Sequence, residues 1–322
     1  MADTPKKKAG CLGCSFPIVI GLGLAVVVLL IVGLVAGGIG TKVLNLDLPS
    51  WLHFEKPVVE LPAGVVFHIG GFPVTNTILA TWITMVVLVL FCWLITRRLR
   101  EVPRRWQMVL EFGLGALIGF CERVAGEKNG RKFFPIVGAI FLFVAFNAWL
   151  ALLPFFGGAF TATTAEGHTE LFRAANTDLN TPLALAIVSF VAVAYFGLRL
   201  AGTRYLKQFF NFGKLAGGFK ALFKGNVKGA FGGIFTGVIE VFIGFIELLS
   251  TFIRILSFTF RLFGNMTAGE ILLLMVTFLA PFVAALPFYA LELLVGLVQA
   301  LIFSVLTLVF LTLAVASHGE GH

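Results

Sequence analysis

Long apolar runs separated by short polar stretches set the rhythm of this chain. Residues 15–40, Asn76–Thr96, Phe133–Phe156 and Pro182–Leu200 are each long enough to cross a hydrocarbon layer, which takes about 20 helical residues. Two longer runs follow, Ile234–Leu279 and Pro287–Ala316, turning at Pro281–Pro287. One more segment, Trp106–Val124, mixes apolar residues with Glu111, Glu122 and Arg123, the pattern of a helix lying along the membrane face. Residues 41–75 read as a loop or short interfacial stretch, and Gly157–Asn180 as a polar connection. Backbone groups in lipid must be satisfied within the protein, and uninterrupted runs of this length select helices over barrel strands. The expected fold class is all-α: a polytopic membrane protein of about six transmembrane helices, two long ones at the C-terminal end.

Composition agrees with the pattern. The 322 residues are 59% hydrophobic and 12% charged, about half the charged share of a soluble domain. The net charge of +8 raises the question of a nucleic-acid partner, and its placement answers against one. The 24 Lys and Arg residues fall mostly in residues 1–14, 97–132 and 199–228. The intervening loops hold Lys42, Lys56 and Arg173, and one span holds Arg254 and Arg261. That asymmetry is the positive-inside pattern, which places both termini in the cytoplasm.

The start of the chain allows two readings. Lysines 6–8 precede the apolar residues 15–40, the order found in a cleaved signal peptide. The run is long for a signal and no A-x-A site follows, which favours a retained helix. Residues 1–45 are therefore set apart as a basic tail and extra span, and residues 46–322 as the main membrane domain.

Several kinds of chemistry lack the residues they need. Cys11, Cys14, Cys92 and Cys121 form no disulfide framework, and Cys11–Cys14 is a lone CxxC. The histidines His53, His68, His168, His318 and His322 are scattered through loops and the tail, so no metal site is expected. No GxxxxGK[ST] phosphate loop occurs, so the chain is not expected to bind ATP itself. No cofactor and no catalytic residue is assigned.

What the chain does carry is charge inside a span. Ser250–Glu270 holds Arg254, Arg261 and Glu270 within an apolar run. A charged side chain at mid-bilayer costs about 2.5–3.5 kcal/mol on insertion scales, so Arg261 requires a reason to be there. At ~100° per residue, Glu247, Arg254 and Arg261 fall within ~40° of one another, with Ser250, Ser257 and Asn265 on or near the same stripe. Glu270 points roughly the opposite way, ~13 Å further along the axis. One helix then offers a fixed cation to one neighbour and a titratable acid to another. A structural salt bridge between packed helices is the plainer alternative.

These residues also carry a resemblance. The segment RLFGNMTAGE at 261–270 resembles the most distinctive motif of subunit a of the F-type ATP synthases. LVQALIFSVLTLVFL at 297–311 is similar to that family's last helix, with Gln299 at the family's glutamine. FHIGGFPVTNTIL at 67–79, DLNTPLALA at 178–186 and, more weakly, FLFVAFNAWLALLP at 141–154 follow the family in the same order. The likeness covers roughly residues 50–316. It departs at Glu292, where some relatives have histidine; the first segment and the Lys/Gly-rich loop 207–233 match no family motif.

The resemblance implies a stator channel in a bacterial inner membrane, beside a rotating c-ring whose carboxylates pass it. It also implies peripheral-stalk b subunits as neighbours, and a catalytic headpiece reached indirectly. On this reading Glu270 and Glu292, with Asp178 and Asn180, line an outer half-channel, and Glu247 with Ser250 lines an inner one. Gln299 shares a face with Glu292, within ~20°, and comes to the depth of Arg261. Arg261 divides the two paths, because a guanidinium keeps its proton and cannot relay one. Gln299 would hold it loosely between visits of a ring carboxylate. Glu292 has the plainer alternative of a helix–helix hydrogen bond, and Glu247 that of an interfacial anchor. Arg254 is expected to be structural or snorkelling, and Asn147 to bond a neighbouring helix. A secondary ion-coupled transporter is the alternative function, but it calls for inverted repeats and paired broken helices. A membrane acyl- or glycosyl-transfer enzyme would need an interfacial His/Asp or carboxylate constellation, and the spans hold no histidine.

Overall fold

The computed structural model describes residues 16–40, 62–97, 105–153, 161–164, 167–170, 172–202 and 227–316, together with 205, 209, 213 and 216–217. The basic N-terminal residues, the Cys11–Cys14 pair, Lys42, Lys56 and most of loop 207–233 lie outside them.

Among the described residues seven α-helices carry the fold: α1 (Phe16–Ala36), α2 (Asn76–Arg97), α3 (Arg105–Ala125), α4 (Glu127–Ala151), α5 (Asn180–Ala201), α6 (Val227–Leu279) and α7 (Leu286–Ala316). Six of these are long and apolar enough to cross a membrane, all but α3. The all-α polytopic architecture is therefore as the apolar runs predict. α6 has 53 residues, about 80 Å of helix, against a hydrocarbon core of about 30 Å. It must tilt or extend beyond the hydrocarbon.

Among the described residues two short antiparallel hairpins, which the hydrophobic pattern does not predict, punctuate the loops. β1 (Val65–Ile69) pairs with β2 (Phe72–Thr75), and β3 (Thr161–Thr164) with β4 (Gly167–Glu170). Gly70 and Gly71 close the first hairpin with φ of 55° and 88°, the left-handed region in which glycine alone is at ease. Gly126, at φ 77°, makes the sharp link from α3 to α4 for the same reason.

Chain contacts divide the molecule into two compact units. One holds residues 1–61 and 268–294. In it, Gly33 and Gly37 bring α1 against the turn after α6: a Cβ at either would run into the carbonyl of Pro281 or of Leu279. Glycines four apart let helix backbone approach this closely. The remainder of α1 is almost entirely exposed, as a lipid-facing span is.

The other unit holds residues 62–267 and 295–322. One buried cluster joins Val144 and Ala148 of α4, Ala186 of α5, Phe258, Leu262 and Met266 of α6, and Ala300 and Phe303 of α7. A second joins Cys121 of α3, Phe133 and Val137 of α4, Val193 of α5, Tyr205, and Leu308 and Leu311 of α7. Phe258 and Phe303 meet with ring centroids 4.8 Å apart. Gly296 lies where a Cβ would come 3.9 Å from Met266 Cε and closer still to Ala148. Both contacts give one antiparallel register for α6 and α7, in which Arg261 comes level with Ala300.

Candidate functional site

Arg261 stands on the exposed side of α6 while the next residue, Leu262, is wholly buried in the core. The helical period does this: adjacent side chains diverge by ~100°, so one anchors the helix and the other leaves it. Among the described residues Arg261 makes no hydrogen bond and no ion pair. Ser257 and Gly264, four residues before and three after, are exposed with it. Their small side chains leave the guanidinium proud of the surface.

Gln299 sits one residue from Ala300 and is only 5% exposed. The register brings it to the level of Arg261, as the spacing predicts, but no hydrogen bond joins the two. Its side-chain nitrogen is buried without a partner among the described residues. A buried amide donor left unmade is costly, so this nitrogen calls for an acceptor; a guanidinium, which only donates, would meet the amide oxygen instead.

Arg254 is half-buried, its guanidinium 3.9 Å from the centre of the Phe310 ring on α7. That cation–π contact makes it a packed structural charge, in line with expectation. It borders a small cavity of about 20 Å³ with Ser189, Thr251 and Phe258, room for about one water. Glu247 is half-buried and Ser250 exposed. Burial raises the Tyr205 phenol above its ordinary range; the Arg254 charge opposes this and Glu247 adds to it. Tyr205 is thus within electrostatic reach of both Arg254 and Glu247, a grouping that the spacing along one helix does not reveal.

Polar residues also collect around the entrance of α5. Thr77 Oγ1 donates to Asp178 Oδ2 at 3.0 Å and shares a hydrogen bond of 2.9 Å with Thr75 Oγ1. Asp178 Oδ1 accepts the backbone N–H of Asn180 at 3.2 Å and its side-chain amide at 3.1 Å. A carboxylate at a helix N-terminus is favoured by the helix dipole. Asn147 donates to Asn176 Oδ1 at 3.5 Å, the inter-element bond expected of it, with Asn176 in a buried 3₁₀ turn, Ala175–Thr177. Arg173, buried, donates to the Pro62 carbonyl at 3.4 Å. Thr77 and Asn176 are members that spacing alone misses. The signal was present in FPVTNTIL, whose threonines open a spanning helix.

In the other unit, Glu270 is half-buried and Glu292 only 8% exposed. Glu292 packs against Gly269, the residue before Glu270. A Cβ at Gly269 would overlap both oxygens of the Glu292 carboxyl. Glycine here is a matter of space: it lets a carboxyl from α7 reach the backbone of α6. Among the described residues no group of His, Cys, Asp and Glu could hold a metal ion.

The profile of the ATP synthase A chain family matches residues 78–312, which take in α6, most of α7, Arg261 and both carboxyl groups. The chain belongs to that family. An ATP synthase subunit a from Gloeobacter violaceus is 31% identical over 265 residues, 82% of this chain and 94% of its own length. The ATP synthase subunit a 2 of a Bradyrhizobium species is 32% identical over 261 residues, 81% and 98% of the two chains. A Moorella thermoacetica ATP synthase subunit a is 29% identical over 258 residues, 80% and 96%. The ATP synthase A chain is part of the membrane sector of the synthase, and its work is proton transport for ATP synthesis. With six helices among the described residues able to span, this member is a multi-pass membrane protein.

Proposed function

We propose that this subunit gives protons two offset half-channels to the carboxylates of a rotating ring, with Arg261 as the divider between them. The observation that carries this reading is the placement of Arg261. It is exposed at mid-helix on α6, backed by the buried Leu262 and flanked by small side chains, and it has no acid of its own among the described residues. A charge so placed in lipid is expensive unless another protein answers it.

The chemistry follows from what each group can do. The guanidinium stays protonated, so it cannot pass a proton; it can only favour the ionised form of a carboxylate that comes near. A pair at 4 Å near a protein surface is worth about 4 kcal/mol. One charge crossing 150 mV gains about 3.5 kcal/mol. The two are comparable, so each arriving carboxylate must displace the last. Gln299 is the group at this depth that can hold the arginine between visits.

Glu270 and Glu292, with Asp178 and Asn180, are assigned to the outer path, and Glu247 with Ser250 to the inner. Asn265, half-buried one turn beyond Arg261, belongs to the divider. The ring, peripheral-stalk b subunits and, indirectly, the catalytic headpiece are its partners. Both termini lie in the cytoplasm of a bacterial-type inner membrane.

The direct test is cross-linking in native membranes. With Ser257→Cys or Gly264→Cys in the intact complex, a disulfide to a cysteine introduced beside the ring carboxylate is expected. Cross-links found only to other subunits would overturn the reading.

A further inference from the structure

We propose an anionic phospholipid site where the start of α4 meets the end of α5. A cavity of about 300 Å³ opens there, lined by Lys132, Phe196, Arg199 and Leu200. Two of its four walls are cations, one from α4 and one from α5, and two are apolar side chains of the spanning helix α5. That combination fits a headgroup phosphate held between the charges, with an acyl chain running along Phe196 and Leu200.

The neighbouring Arg131 shows why these cations are different. Its guanidinium meets Glu122 at 2.7 Å and Glu127 at 3.2 Å, so two carboxylates already answer it. Among the described residues Lys132 and Arg199 have no acidic partner. Arg199 is held in place by a neutral group: it donates to the Tyr195 hydroxyl at 2.9 Å and lies 5.9 Å from the centre of that ring. Phe196 is fixed too, edge-on to the buried Phe133 with centroids 5.1 Å apart. The walls are thus set before any ligand arrives, and among the described residues the charge they present is unanswered. Basic pockets between spanning helices at the membrane surface are suited to phospholipid headgroups. A free phosphate would use the cations and leave the apolar walls without a purpose. The site uses none of the residues assigned to the translocation path.

The test is lipid retention by the intact complex. After exchange through mixed micelles, bound lipid is counted by native mass spectrometry. The wild-type complex should retain phosphatidylglycerol in preference to phosphatidylcholine. Lys132→Gln with Arg199→Gln should weaken that retention roughly thirtyfold, from two cations near the surface. Lys132→Arg with Arg199→Lys should preserve it, which separates lost charge from lost folding. Lys128→Gln, which removes a cation that does not line the cavity, should leave it unchanged. Equal retention by the double glutamine variant, an equal loss with Lys128→Gln, or full displacement of the lipid by inorganic phosphate would each overturn the proposal.

Discussion

Thr77 Oγ1 donates to Asp178 Oδ2 at 3.0 Å, joining the first turn of α2 to the entrance of α5 across 101 positions of sequence. The same carboxylate also receives the first backbone N–H of α5. One acid therefore pins two spanning helices together and still has a half-exposed surface. Thr77→Val removes a donor from a charged acceptor and should destabilise the purified complex by about 1.5–3 kcal/mol. Thr77→Ser should restore it. Thermal unfolding followed by helix signal distinguishes these outcomes, and no difference between Val and Ser would show the bond to be idle.

Arg261→Ala should cut proton-coupled ATP synthesis by about three orders of magnitude, the rate equivalent of a pair worth about 4 kcal/mol. Assembly should survive, because Leu262 rather than Arg261 provides the packing. Synthesis by reconstituted vesicles, normalised to assembled complex, checks it. Retained coupling would remove the divider role.

Glu270→Gln should slow proton entry from the outer face about a hundredfold, within the range for losing a positioned acid–base group. Glu247→Gln should affect the opposite face more. Proton uptake by right-side-out and inverted vesicles separates the two, and equal effects in both would contradict the assignment.

Gly269→Ala places a methyl group onto the Glu292 carboxyl. Overpacking of this kind costs typically about 1–3 kcal/mol, and proton flux should fall with it. Combining Gly269→Ala with Glu292→Asp, which shortens the opposing side chain, should recover part of the stability. Strict additivity of the two variants in a double-mutant cycle would show that they do not meet.

Much of the architecture was legible in the sequence, since a run of apolar residues near 20 long has few alternatives in lipid. Helix ends were less so. α4 begins at Glu127 rather than Phe133, because its first turns are polar and leave no hydropathy signal. α6 begins at Val227 rather than Ile234 for a similar reason: glycine and lysine dilute the pattern. The hairpin at Val65–Thr75 was missed although Gly70–Gly71 marks its turn. In the site, the acids and Arg261 were visible because charge inside a span is rare. Their company was not. That Asp178 takes Thr77, or that Glu292 lies on Gly269, depends on which helices meet, and no local spacing encodes it. The exposed face of Arg261 beside a covered Arg254 was equally hidden, for both lie on one helical stripe and only Phe310 tells them apart.

The contact between Phe258 and Phe303 fixes more than a core. A slip of one turn between α6 and α7 would carry the guanidinium about 5.4 Å along the helix axis, which on the half-channel proposal shortens one water path and lengthens the other. Two interlocked phenyl rings thus act as a height gauge for a charge three residues away. Trimming either ring would alter where along the voltage drop the ion changes sides, before it altered whether the chain folds.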